Sequence, residues 1–152
     1  MTVRTGRLEL QGKAALVTGA GRRRGLGFAI AARLAADGAR VVLSDLASRE
    51  TELHARVAEV RALGGEAVAV SADITSESEV DDLFARTLEV AGRLDVLVNN
   101  AGIIVTKLVT DTTRAEWQRC VDVMGLGTFL CAREAVKIMA RQGPAAASSI
   151  SR

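Results

Sequence analysis

The sequence predicts an α/β protein built as a doubly wound parallel sheet. Three observations carry this. Short apolar runs rich in valine and leucine alternate with stretches of helical period. The runs are continuously apolar rather than alternating, as strands covered on both faces should be. Glycines and capping residues separate nearly every run from the next helical stretch.

Taken in order, Ala14 to Thr18 (AALVT) is the first strand, and a glycine-rich turn leads into a helix over Leu26 to Ala36. Phe28, Ala31, Leu34 and Ala35 form its apolar stripe, and Gly38 stops it. Arg40 to Ser44 is the second strand, and Ser48 to Leu63 a charged amphipathic helix ended by Gly64-Gly65. Glu66 to Ser71 is the third strand. Ser76 then caps a helix reaching Ala91, with Glu79 placed to complete a capping box. Asp95 to Asn99 is the fourth strand. Thr113, with Glu116 as its box partner, opens one long helix running to about Arg141. Right-handed crossovers place the strands in the order 3-2-1-4. Residues 1–142 thus form one domain, incomplete because the sheet would continue past strand four. Residues 143–152 (GPAAASSISR) read as a loose tail.

Bulk composition excludes several functions. A net charge of +2 over 152 residues is too small and too evenly spread for a nucleic-acid surface. The start, with Arg4, Arg7 and Glu9, is no secretory signal. The apolar run Val123 to Ala132, broken by Gly125 and Gly127, is about half the roughly 20 residues of a membrane span. A cytoplasmic location is the default expectation. Cys120 and Cys131, eleven residues apart, share a helix face as two buried free thiols. His54, the only histidine, sits among Glu52, Arg56 and Glu59 on a solvated face, and no metal-ligand cluster is evident.

The chemistry gathers at strand ends. The loop Thr18 to Gly27 (TGAGRRRGLG) follows a strand and opens a helix, whose free N–H groups and partial positive charge suit a pyrophosphate. Asp45, eighteen residues after Gly27, can accept the hydroxyls of an adenosine ribose and repel a 2′-phosphate, which favours NAD over NADP. Arg22, Arg23 and Arg24 weigh the other way as phosphate partners, or are simply a solvated insertion. Asp73 is either an acceptor for an adenine amino group or a turn-forming residue before a helix. Asn99-Asn100-Ala101-Gly102 ends strand four, where paired amides can tie strands or meet a ribose, and where turn chemistry alone is also a sufficient reason.

In this order and spacing, VTGAGRRRGLGFAIA, SDL, ADIT and LVNNAG resemble the short-chain dehydrogenase/reductase family, a Rossmann-type fold, from about Leu8 to Gln142. The resemblance implies that Gly19, Arg22, Gly25, Leu26 and Gly27 hold the cofactor phosphates and that Asp45 holds the ribose. It places Asp73 and Ile74 at the adenine and Asn100, Ala101 and Gly102 along the cofactor, with Thr18 and Asn99 tying strands. The dinucleotide is the implied partner. A small alcohol or carbonyl substrate is implied only for a full-length form, and a homo-oligomer through the 113–141 helix.

Three departures stand out. The loop has five residues between Thr18-Gly19 and the next family glycine, where the family has three. The family's catalytic asparagine, seven residues after Trp117, is replaced by Met124. The chain has no tyrosine, and Lys137 is its last lysine, so the family's Tyr-x-x-x-Lys pair is missing. The expectation is the cofactor half of an NAD(P)-dependent oxidoreductase, inactive alone. The alternative is a non-catalytic dinucleotide-binding or scaffold subunit.

Overall fold

A computed structural model describes residues 9–143. The 144–152 part of the expected tail, with its serines, and the start through Leu8 lie outside the described residues.

Strand β1 (Ala14–Thr18) leads to helix α1 (Leu26–Ala36), β2 (Arg40–Asp45), α2 (Glu50–Ala62), β3 (Glu66–Ser71), α3 (Glu77–Ala91) and β4 (Val96–Val98). All pairings are parallel, in the order β3-β2-β1-β4. Side chains alternate across the strands, so neighbouring residues enter different cores. Leu16 and Val42 pack against α3 and the last helix with Leu83, Phe84, Leu130 and Ile138. Ala15, Val17, Val41 and Leu43 pack against α1 and α2 with Ala31, Ala35, Leu53 and Val57. Both faces of the sheet are covered, which is why its strands are uniformly apolar.

Several boundaries differ from expectation for local reasons. The second helix is preceded by a 3₁₀ turn over Ala47–Arg49. Strand four is confined to Val96–Val98, because the Asn100 N–H turns back to the Val98 carbonyl at 3.1 Å. The Ser76 box is only half made: Ser76 accepts from the Glu79 N–H, but the Glu79 carboxylate accepts from the Asp73 N–H at 2.8 Å. The expected single long helix is instead α4 (Arg114–Val121), a π-helical stretch over Asp122–Gly127, and α5 (Thr128–Arg141). Gly125 and Gly127 favour the wider turn, since glycine is a poor α-helix former. The inserted turn upsets the three-turn spacing of the cysteines, so Cys131 is buried while Cys120 is half-exposed. The Thr113–Glu116 capping box forms in full.

Asp95, just ahead of β4, was not foreseen as important. Its buried carboxylate accepts from the Ala14 N–H at 2.9 Å and from Arg93 Nε and Nη2, tying the starts of β1 and β4. Desolvation pushes its pKa up, but those bonds and the charges of Arg93 and Lys13 together hold it below the ordinary value.

Candidate functional site

The carboxyl ends of β1 and β4 are stitched together by two side chains. Thr18 is buried, and its hydroxyl accepts from the Asn100 and Ala101 N–H groups at 3.2 and 3.1 Å. The Asn100 amide donates to the Thr18 and Gly19 carbonyls at 3.0 and 3.1 Å. Asn99 takes no part: its buried Oδ1 has no hydrogen-bond partner among the described residues, so the tie expected of Asn99 is made by Asn100. Gly19 sits at φ 67°, and a Cβ there would lie 2.7 Å from Ala101 Cα, so conformation and space both require glycine.

The arginine insertion is absorbed as a turn. The Gly25 N–H donates to the Arg22 carbonyl at 3.0 Å, closing a loop around Arg23 and Arg24 and leaving the N-terminus of α1 facing the strand ends. Arg22 lines the cleft there. Arg23 points away, 3.8 Å from Glu59, and Arg24 is exposed.

Asp45 closes β2. Its Oδ2 accepts from the Gly21 N–H at 2.8 Å and its Oδ1 from the Leu46 N–H at 2.9 Å, so it shapes the glycine loop as well as facing the cleft. Arg49 stands 4.0 Å from Oδ1. Beside it, Ser44 Oγ is buried, lines the same cleft and lacks a partner among the described residues. Asp73 does make a turn: its Oδ1 accepts from the Thr75 N–H and hydroxyl at 2.9 and 2.7 Å. Its Oδ2 faces Arg119 at 3.6 Å. Desolvation opposes ionisation of Asp73, but the Thr75 bonds and the Arg119 charge outweigh it and lower the pKa.

These groups surround one cleft of about 270 Å³ at the carboxyl edge of the sheet. Gly19, Arg22, Gly25, Leu26, Asp45, Asp73, Ile74, Asn100, Ala101 and Gly102 all line it. Gly27 does not. It lies behind the loop, where a Cβ would stand 2.7 Å from the Gly19 carbonyl and collide with the Asn100 amide. Ser44, Arg49, Arg119 and Val123 line the cleft without having been singled out beforehand. For Arg119 and Val123 no local signal exists, because α4 and the π turns reach the cleft only through tertiary packing. Strand-end residues beside a glycine loop and a helix N-terminus make a donor-rich, partly cationic surface suited to a phosphorylated ligand.

A family model for short chain dehydrogenases matches residues 13–150. The chain belongs to the short-chain dehydrogenase family. It is 44% identical over 133 residues to a short-chain dehydrogenase/reductase of Armillaria gallica, covering 88% of this chain and 50% of that protein. It is likewise 44% identical over 133 residues to the 3-oxoacyl-(acyl-carrier-protein) reductase of a Synechocystis strain, covering 88% of this chain and 53% of that protein. Among solved structures, a short chain dehydrogenase from Mycobacterium smegmatis superposes with a TM-score of 0.81 at 40% identity, covering 88% of this chain and 55% of that one. A blue fluorescent protein from a metagenomic library, solved with NADPH, superposes with a TM-score of 0.76 at 35% identity, covering 85% and 52%. The chain therefore spans about half the length of the relatives it matches.

The positions where this family member departs from its pattern lie along the same edge. Met124 is half-exposed in the π turns, its Sδ 3.9 Å from where a Gly102 Cβ would be. Lys107, in the loop after Gly102, is held by the Glu116 carboxylate. That bond, followed by those from the Thr113 N–H and hydroxyl, lowers the Glu116 pKa to about 2. His54 is exposed beside Glu50, away from the cleft. Burial pushes the Cys131 thiol up to about 12, which leaves it an inert core group. Among the described residues no cluster suits a metal ion, and no helix is long and apolar enough to cross a membrane.

Proposed function

We propose that this chain is the cofactor-binding half of an NAD(P)-dependent oxidoreductase acting on an alcohol/carbonyl pair. The single observation that carries this is the convergence of the glycine loop, the α1 N-terminus and the ends of β2, β3 and β4 on one cleft. The fit to a dinucleotide also rests on Ser44 Oγ, a buried hydroxyl that lines the cleft and lacks a partner among the described residues. When bound, the nicotinamide supplies the hydride chemistry. Gly19, Arg22, Gly25 and Leu26 form the phosphate region, with Gly27 packing the loop from behind; Asp45 meets the adenosine ribose, and Asp73 with Ile74 borders the adenine. Asn100, Ala101 and Gly102 flank the remainder.

NAD is the preferred cofactor in this reading. Each Asp45 oxygen accepts one N–H, and a carboxylate has about four lone-pair sites, so acceptors for two ribose hydroxyls remain. Calorimetric titration of NAD and NADP into wild type and Asp45→Ala tests it. NAD should bind more tightly to wild type and lose about 1–3 kcal/mol in the variant. Equal or tighter NADP binding by wild type would transfer the decision to Arg22 and Arg49. The chain alone transfers no hydride, because no tyrosine is present and Met124 stands where the family has its asparagine. Two free thiols among the described residues accord with a reducing, cytoplasmic setting.

A further inference from the structure

One end of the cleft is a slot lined by apolar side chains. Ala72 and Ile74 come from the turn after β3, and Val123 from the π-helical stretch; all three are buried. Gly127 sets the spacing of these walls, since a Cβ there would lie 2.6 Å from Ile74 Cδ1. Arg119 precedes Val123 by four residues, about one turn, and also lines the slot. Its guanidinium reaches across to Asp73 Oδ2 at 3.6 Å, while Asp73 Oδ1 is already occupied by Thr75. That separation is too long for a hydrogen bond. The Arg119 side chain is 50% exposed, so the pair is loose and opens at little cost. Arg119 also balances the Asp73 charge, so the slot offers no net charge to a phosphate. Apolar walls, an acceptor at the edge and a planar cation above fit an uncharged aromatic base bearing an amino group.

We propose that Arg119 is a specificity-determining residue of the nucleotide site, its guanidinium stacking on the adenine face while Asp73 Oδ2 accepts from the adenine amino group. The proposal rests on the dinucleotide reading above and adds a residue on α4 to it. Bound adenine exchanges the loose ion pair for a stacked cation and a directed hydrogen bond. Free adenine fills both of these roles, and a ribose phosphate fills neither.

The test is calorimetric titration of AMP, NAD and NADP into the full chain and its Arg119→Ala, Arg119→Lys and Asp73→Asn variants. Circular dichroism should show unchanged folding for Arg119→Ala, because the side chain is half-exposed. Arg119→Ala should weaken AMP and NAD by the same factor, about 3- to 30-fold. Arg119→Lys should restore little, since an ammonium keeps the charge but not the plane. With 1,N6-etheno-NAD, whose amino group is blocked, Arg119→Ala should still weaken binding while Asp73→Asn should not. Unchanged NAD affinity in Arg119→Ala, full rescue by lysine, or a loss confined to NADP would overturn the proposal. A wild-type chain that binds no dinucleotide would remove the cofactor reading itself, and this one with it.

Discussion

Replacing Gly27 by alanine tests how the nucleotide loop is held. The added Cβ would lie 2.7 Å from the Gly19 carbonyl oxygen and would collide with the Asn100 amide nitrogen. A relaxed C···O contact is about 3.3–3.6 Å, so something must move by roughly 0.6 Å or more. Gly19 cannot retreat, because it already packs against Ala101. The Asn100 side chain must therefore withdraw, giving up its bonds to the Thr18 and Gly19 carbonyls. Two such bonds contribute about 0.5–1.5 kcal/mol each, and residual overpacking about 1–3 kcal/mol. Alanine's better helix propensity returns at most about 1 kcal/mol. The net expectation is about 2–4 kcal/mol, or roughly 5–15 °C in Tm for a chain of this size. Urea unfolding followed by circular dichroism at 222 nm is the assay, because Trp117 is too exposed to report faithfully on the core. A double-mutant cycle with Asn100→Ala makes the reasoning specific. With the amide gone, the new methyl loses one of its two collisions, so the double variant should be more stable than the sum of the singles by about 1 kcal/mol. A Gly27→Ala change below about 0.5 kcal/mol, or strictly additive energies, would refute this account of the loop.

Three further outcomes follow from the structure. Purified chain should show no NAD(P)-dependent turnover of short alcohols, cyclic alcohols or 3-keto esters at 340 nm; turnover abolished by Lys107→Ala would show that the Lys107–Glu116 pair opens to supply a base. Among the described residues β4 is a sheet edge, and Trp117, Phe129 and Val136 are exposed on α4 and α5, so size-exclusion chromatography should show self-association through these helices; a monodisperse monomer would contradict this. Glu116 has its pKa lowered to about 2 by Lys107 and Thr113, so the support it gives the α4 cap is complete above the ordinary glutamate value and is lost as pH falls through about 2. Carboxyl NMR titration should follow that midpoint, and one near the ordinary value would mean the Lys107 contact does not persist in solution.

Much of the fold was legible because its signals are local. Strand-length apolar runs, the Gly38 stop and the Thr113 box act within a few residues, so β1, α1, β3 and the α4 start fall where expected. The order 3-2-1-4 follows from crossover handedness, a property of chirality rather than of particular contacts. Strand-end residues were legible as cleft residues for the same reason: topology alone delivers them to one edge. What lay beyond the sequence depends on placing distant atoms to within an ångström. Asn100 rather than Asn99 makes the tie because the turn after β4 aims one amide at β1 and buries the other. Asp45 turned out to support the glycine loop across 24 residues, and Asp95 to anchor β1 across 81. The π-helical stretch appears where Gly127 must clear Ile74, and it is what brings Arg119 and Val123 to the cleft. Spacing along a chain dictates which face a residue occupies, but only the packed helices and sheet decide which distant group it meets there.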